Sequence, residues 1–148
     1  MRFENAKKAY DMTNQILQPE GWAKPRGYAN GIAARGTLVS IAGQIGWNAR
    51  CEFETDDFVE QCRQALNNVA AVLREAGGHP GHIVRMTWYV TSRDEYLAAG
   101  KALGAAYREA MRTPDGSIAY PAMTAVQVVA LMEARARVEI EATAVIPG

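Results

Sequence analysis

The C-terminal stretch Val138–Ile146 alternates strictly, with Val138, Ile140, Ala142, Ala144 and Ile146 on one side and Glu139, Glu141, Thr143 and Val145 on the other. A period of two predicts a half-buried strand showing two carboxylates on one face. Upstream, the X-Pro step Tyr120-Pro121 disfavours helix at Tyr120 and opens an extended segment that runs on through Val126, Val128 and Val129. The charged break at 133–137 separates the two strands. Residues 83–91 form the most strand-like segment by composition, with Val84, Met86, Trp88 and Val90 facing away from Arg85, Thr87, Tyr89 and Thr91.

Two stretches change period. Across 55–76, Phe58, Cys62, Ala65, Leu66, Val69, Leu73 and Ala76 recur at three and four, which predicts a helix. Thr55 can cap it, Asp56 and Asp57 suit its first turn, and Gly77-Gly78 ends it. Ser92 and Glu95 have the spacing of a capping box and open a second helix to about Met111, with a stripe of Tyr96, Ala99, Leu103, Tyr107 and Ala110 or Met111. Gly27, Gly31 and Gly36 punctuate the region after Trp22, and Ala34-Arg35-Gly36-Thr37 reads as a hairpin turn joining 28–33 to 38–42. The order hairpin, helix, strand, helix, two strands predicts an α+β fold, a mixed sheet covered on one face by two helices. Residues 1–18 carry a weak helical stripe ended by Pro19 and Gly21, so 1–20 is expected to be an appendage and 21–148 a single domain.

Composition narrows the function classes. The 148 residues are 49% apolar, enough for one core, and 16 basic residues balance 16 acidic ones. No net field draws nucleic acid or an anionic membrane, and no apolar run approaches a membrane span or a secretory signal, so a cytoplasmic protein is expected. Cys51 and Cys62 lack paired or metal-type spacing and read as free thiols. The glycines after Trp22 match neither GxGxxG nor a P-loop. His79 and His82 sit three apart in a Pro-Gly turn with no acid or thiol partner nearby, so no metal site is expected.

The chemistry-bearing motifs are Pro121-Ala122-Met123-Thr124-Ala125-Val126 and, some fifteen residues on, Val138-Glu139-Ile140-Glu141-Ala142-Thr143-Ala144. Together they resemble the C-terminal signature of the RidA family, also called YjgF/YER057c/UK114. Gly27-Tyr28-Ala29-Asn30-Gly31 and Ala42-Gly43-Gln44-Ile45 resemble its N-terminal motifs, so the likeness spans about Gly27 to Ile146. It implies a YjgF-like (chorismate-mutase-like) homotrimer with ligand pockets in the clefts between subunits and no cofactor. It further implies hydrolysis of reactive enamines or imines to a 2-keto acid and ammonia, with Glu139 matching the glutamate that holds water or nitrogen. Tyr28 and the Gly43 backbone are the matching ligand-binding positions.

The sequence departs from the family where the substrate is gripped. The arginine that clamps a substrate carboxylate is replaced by Met123, which cannot bind one. The frequent cysteine is Ala125, and the asparagine of the second helix is Gly100 or Gly104. Such a pocket is not expected to prefer a small free 2-imino acid. Either the substrate is bulkier and more apolar, lacking a carboxylate or presenting it to another arginine, with Arg26 nearest by sequence, or the scaffold survives as a ligand-binding or interaction module. An endoribonuclease or translation inhibitor fits poorly, because the basic residues are short scattered clusters in a neutral protein.

Overall fold

The protein is described by a computed structural model covering residues 14–148. Its elements are β1 (Asn14–Leu17), β2 (Gly31–Ala34), β3 (Thr37–Ile45), α1 (Phe58–Glu75), β4 (Ile83–Val90), α2 (Arg93–Ala98), α3 (Gly100–Ala110), β5 (Ala122–Gln127) and β6 (Val138–Ile146), with a short 3-10 turn at Pro80–His82. Four strands make the main sheet in the order β3-β6-β4-β5, antiparallel except for the parallel β4/β5 pair. The expected mixed sheet with helices on one face is therefore the observed architecture.

Burial follows the predicted periods. Along β6, Val138, Ile140, Ala142 and Ala144 are buried, and along α1 the stripe Phe58, Cys62, Ala65, Leu66, Val69 and Leu73 seals against them. Ala76 falls beyond the helix and is exposed. Asp57, not Thr55, is the N-cap, accepting from Glu60 N–H at 2.9 Å. Thr55 supports it one step earlier, its hydroxyl accepting from Asp57 N–H at 3.0 Å. Ser92 caps the second helix as expected. Glu95 does not close the reciprocal half of the box, however, and grips Arg137 at 2.9 Å instead. That helix also breaks at Ala99 into α2 and α3, so its stripe is presented by two short pieces.

Two expectations fail. The stretch read as a helical appendage contains a strand, β1, which pairs antiparallel with β2 in a separate two-stranded sheet; the rest of that stretch, 1–13, lies outside the described residues. The segments flanking Ala34–Thr37 do not form a hairpin with each other, because β2 pairs with β1 while β3 pairs with β6. Gly36 makes the handover possible, with φ of 144° and so little room that a Cβ would lie 1.9 Å from the Ile146 carbonyl oxygen. Trp88 is buried under the helices.

The ladder register fixes which side chains share a face. Met123 stands opposite Met86, which stands opposite Ala142; Ala125, Trp88 and Ile140 form the next row. Both rows face the helices. The intervening rows, Thr124 with Thr87 and Glu141, and Val126 with Tyr89 and Glu139, face the other way.

Candidate functional site

On the helix side, where β5 forms the sheet edge, the chain leaves a pocket of about 600 Å³. One wall is the sheet, through Trp88, Met123 and Ala125; a second is the broken helix, through Tyr96, Leu97, Gly100, Leu103, Gly104, Tyr107 and Arg108. Tyr120 and the segment Arg26-Gly27-Tyr28 complete the lining. That segment is held by backbone. Ala29 N–H donates to the Pro121 carbonyl at 2.9 Å and Ala29 bridges in parallel to Ala122, so the loop before β2 is zipped to the start of β5. Gly27, with φ of 77°, takes the left-handed conformation two residues before the bridging Ala29.

The walls are mostly aromatic. Tyr107 and Tyr120 stack, with centroids 5.6 Å apart and planes 11° from parallel, and Trp88 meets Tyr96 edge-on at 6.3 Å. Burial pushes the Tyr107 hydroxyl well above its ordinary pKa, so it stays a neutral donor. Trp88 is only 2% exposed and its indole N–H finds no acceptor. Gly100 and Gly104 lie four residues apart on α3; a Cβ at Gly100 would meet nothing within 4 Å, and one at Gly104 would lie 3.2 Å from Arg108 Nη1. Among the described residues of the lining, arginine is the only charged type and no carboxylate contributes.

The structure thus gathers four of the expected ligand-binding residues, Arg26, Tyr28, Met123 and Ala125, into one pocket. It does not bring Glu139 or Gly43 there. Glu139 points from the opposite face of the sheet, where its carboxylate packs over Gly43: a Cβ on that glycine would lie 2.2 Å from Oε1. Around it lie Tyr89, whose hydroxyl donates to Glu141 at 2.7 Å, and a second hollow lined by Ser40, Arg85, Thr87, Glu141 and Thr143. The hydrogen bond to Glu141 raises the Tyr89 pKa. Within one chain Met123 and Glu139 therefore do not share a face, because adjacent residues of a β-ladder alternate faces and these two fall on different parities.

Sequence reasoning also missed Arg108 and the aromatic walls, since Tyr96 and Tyr107 read simply as a core stripe. The available signal was the pair of glycines inside an otherwise good helix. His79 and His82 serve the backbone: each ring Nδ1 accepts a main-chain N–H, from Gly81 and His79 respectively, and the rings stack at 3.8 Å. No group of three or more potential metal ligands gathers among the described residues, and no helix there is long and apolar enough to cross a membrane.

An α+β sheet with a single helical layer carries, at its parallel edge, a concave and mostly aromatic pocket of the general kind in which small-molecule sites are found. The family model for endoribonuclease L-PSP matches residues 22–146, and the chain belongs to the RidA/YjgF family. It is 30% identical over 118 residues to the 2-iminobutanoate/2-iminopropanoate deaminase of Escherichia coli K12, an alignment covering 80% of this chain and 86% of that one. The solved structure of the Rid-family protein YyfB from Yersinia pestis superposes with a TM-score of 0.77 at 29% identity, covering 91% of this chain and all of the other. Escherichia coli TdcF with bound serine gives 0.63 at 29% identity, covering 89% and 98%.

Proposed function

We propose that this chain is an enamine or imine hydrolase acting on a substrate other than a small free 2-imino acid, with its site completed by a second copy of the chain. The reading is carried by one observation: an aromatic pocket on β5 at the positions that match the family's ligand-binding motif, with Met123 where the carboxylate-binding arginine would stand. Named deaminases among the relatives support the reaction type. Among the described residues that line the pocket of one chain, there is no carboxylate, cysteine or histidine to handle water. Glu139 is the candidate for that work, and it can reach a pocket only across a contact between copies, as in the inter-subunit clefts of a homotrimer.

The chemistry asked of the protein is modest. Water adds across C=N, forming a C–O bond while the nitrogen takes a proton; the carbinolamine then expels ammonia and leaves a carbonyl. Glu139 would accept the water proton and return it to nitrogen, and the pocket would hold the substrate.

The test is turnover of an imine panel by the wild type and by Glu139→Gln, with assembly followed by light scattering. The expected result is loss of about a hundredfold in rate, the usual scale of a general acid-base group, with the assembly intact. Mixing Glu139→Gln subunits with subunits blocked at Ala125→Trp should restore part of the activity, since some interfaces then pair a good pocket with a good acid. Imines derived from 2-aminoacrylate should be turned over slowly at best; fast keto-acid release from them would show that Met123 does not matter. Binding without turnover across the panel would replace the hydrolase with a ligand-binding module.

A further inference from the structure

The pocket that the proposed function relies on also carries information about what fills it. Its volume, about 600 Å³, is far larger than a three- or four-carbon imine requires and sits within the range of sites for larger metabolites. The room is made by the helix, which presents Gly100 and Gly104 toward the cavity at a cost in helix propensity. Ring faces bound the space, and a buried indole N–H in its wall has no acceptor. Polar groups this deep are normally satisfied, so the Trp88 N–H marks a place where an acceptor would be accommodated.

The charge in the lining is of one sign. Arg26 and Arg108 form no ion pair among the described residues, where the bridging arginines are Arg50, Arg63, Arg135 and Arg137. The Arg108 guanidinium folds back one turn over Gly104, into space that any larger residue there would contest. Two guanidinium groups beside aromatic walls, with no carboxylate among the described lining residues to neutralise them, suit an anion whose body is planar and apolar.

We propose that the substrate is a 2-imino acid, or its enamine tautomer, bearing an aromatic side chain, with the ring against the aromatic walls and the carboxylate held by Arg26 and Arg108. Resting as it does on the pocket being the reactive site, this assigns to those two arginines the anchoring that Met123 cannot provide. Hydrolysis then yields the aromatic 2-keto acid and ammonia with no oxidant or reductant.

The keto-acid product is a stable probe, so binding can be read without turnover. Phenylpyruvate, pyruvate and the carboxylate-free phenylacetone are titrated by calorimetry and by tryptophan fluorescence. Phenylpyruvate is expected to bind at least about tenfold tighter than either of the others, because only it engages both ring and guanidinium groups. Arg26→Leu and Arg108→Leu, both at exposed positions that leave the fold unburdened, should each weaken phenylpyruvate by about tenfold and leave phenylacetone unchanged. Gly100→Leu, which fills the cavity, should abolish the preference for the ring. Equal affinity for phenylpyruvate and pyruvate, or arginine variants that bind as the wild type does, would overturn the assignment. Tight phenylpyruvate binding with no hydrolysis of the matching imine keeps the aromatic ligand and its arginine anchors but overturns its role as substrate, together with the hydrolase reading. Fast hydrolysis of imines with no discrimination by ring overturns the aromatic assignment and keeps the hydrolase reading.

Discussion

Gln61 is the polar residue most deeply committed to the fold, and removing its amide gives a prediction with a size. It is fully buried on α1. Its Nε2 donates to the Thr55 carbonyl at 3.1 Å and the Arg135 carbonyl at 3.0 Å, while its Oε1 accepts from Arg137 N–H at 2.9 Å. One side chain thus ties the start of α1 to the loop that feeds β6, two residues before Glu139. Gln61→Met keeps the volume and the packing against Gly46, whose backbone leaves no room for a Cβ, but strands three main-chain groups. At about 1 kcal/mol net for each bond, the loss is about 3 kcal/mol, a large share of a typical folding free energy. In urea, with an m-value of about 2 kcal/mol/M, the midpoint should fall by about 1.5 M. Protein concentration must be held fixed, since association adds to apparent stability. A shift under about 0.3 M would mean that these bonds merely replace equivalent ones to water in the unfolded chain. Gln61→Glu sharpens the test: its carboxylate would face two carbonyl oxygens, so its folded pKa would rise and stability would be lost as pH increases through it.

Other predictions concern titration and thiols. Burial, with His79 second, lowers the His82 pKa below its ordinary value, so the folded state binds fewer protons at this site than the unfolded one. The resulting stability is present above about pH 6.5 and lost as pH falls through the folded value; urea midpoints should drop between about pH 7.5 and 5.5, and His82→Asn should flatten that slope. Cys51 is exposed while Cys62 is buried with its pKa pushed far up, first by desolvation and then by Glu95 and Asp57. A thiol reagent should therefore label Cys51 at once and Cys62 only on unfolding; prompt labelling of both would refute the burial.

How much of this was legible in the residues depends on whether one element sufficed to decide it. β6 and α1 were readable because a period of two or 3.6 writes burial directly into the sequence, and the exposed and buried positions fell where the period put them. The turn at Ala34–Thr37 was recognisable as a turn, yet nothing local says whether its flanking strands pair with each other, and here they serve different sheets. The pocket residues Tyr28, Met123 and Ala125 came from the family likeness, which survives divergence in motif positions. Arg108 escaped because arginine on a helix surface is ordinary, and only the space beside Gly104 gives it a direction.

The placement of Glu139 shows a further limit, with a physical cause. Met123 and Glu139 belong to strands separated by β4, and whether they share a face depends on the register of two ladders, one parallel and one antiparallel. A one-residue slip in either would exchange the faces. The observed registers place an aromatic, cationic pocket on the covered side and an acidic, hydroxyl-rich surface on the other, with the sheet backbone between them. No rotamer carries a carboxylate through a hydrogen-bonded sheet. If, as proposed, the chain is a hydrolase that uses Glu139, its pocket and that acid become neighbours only when the open face of one copy meets the pocket edge of another. On this reading assembly is a condition of catalysis, since the described residues of a lone chain bring no acid into the pocket that would bind the ligand.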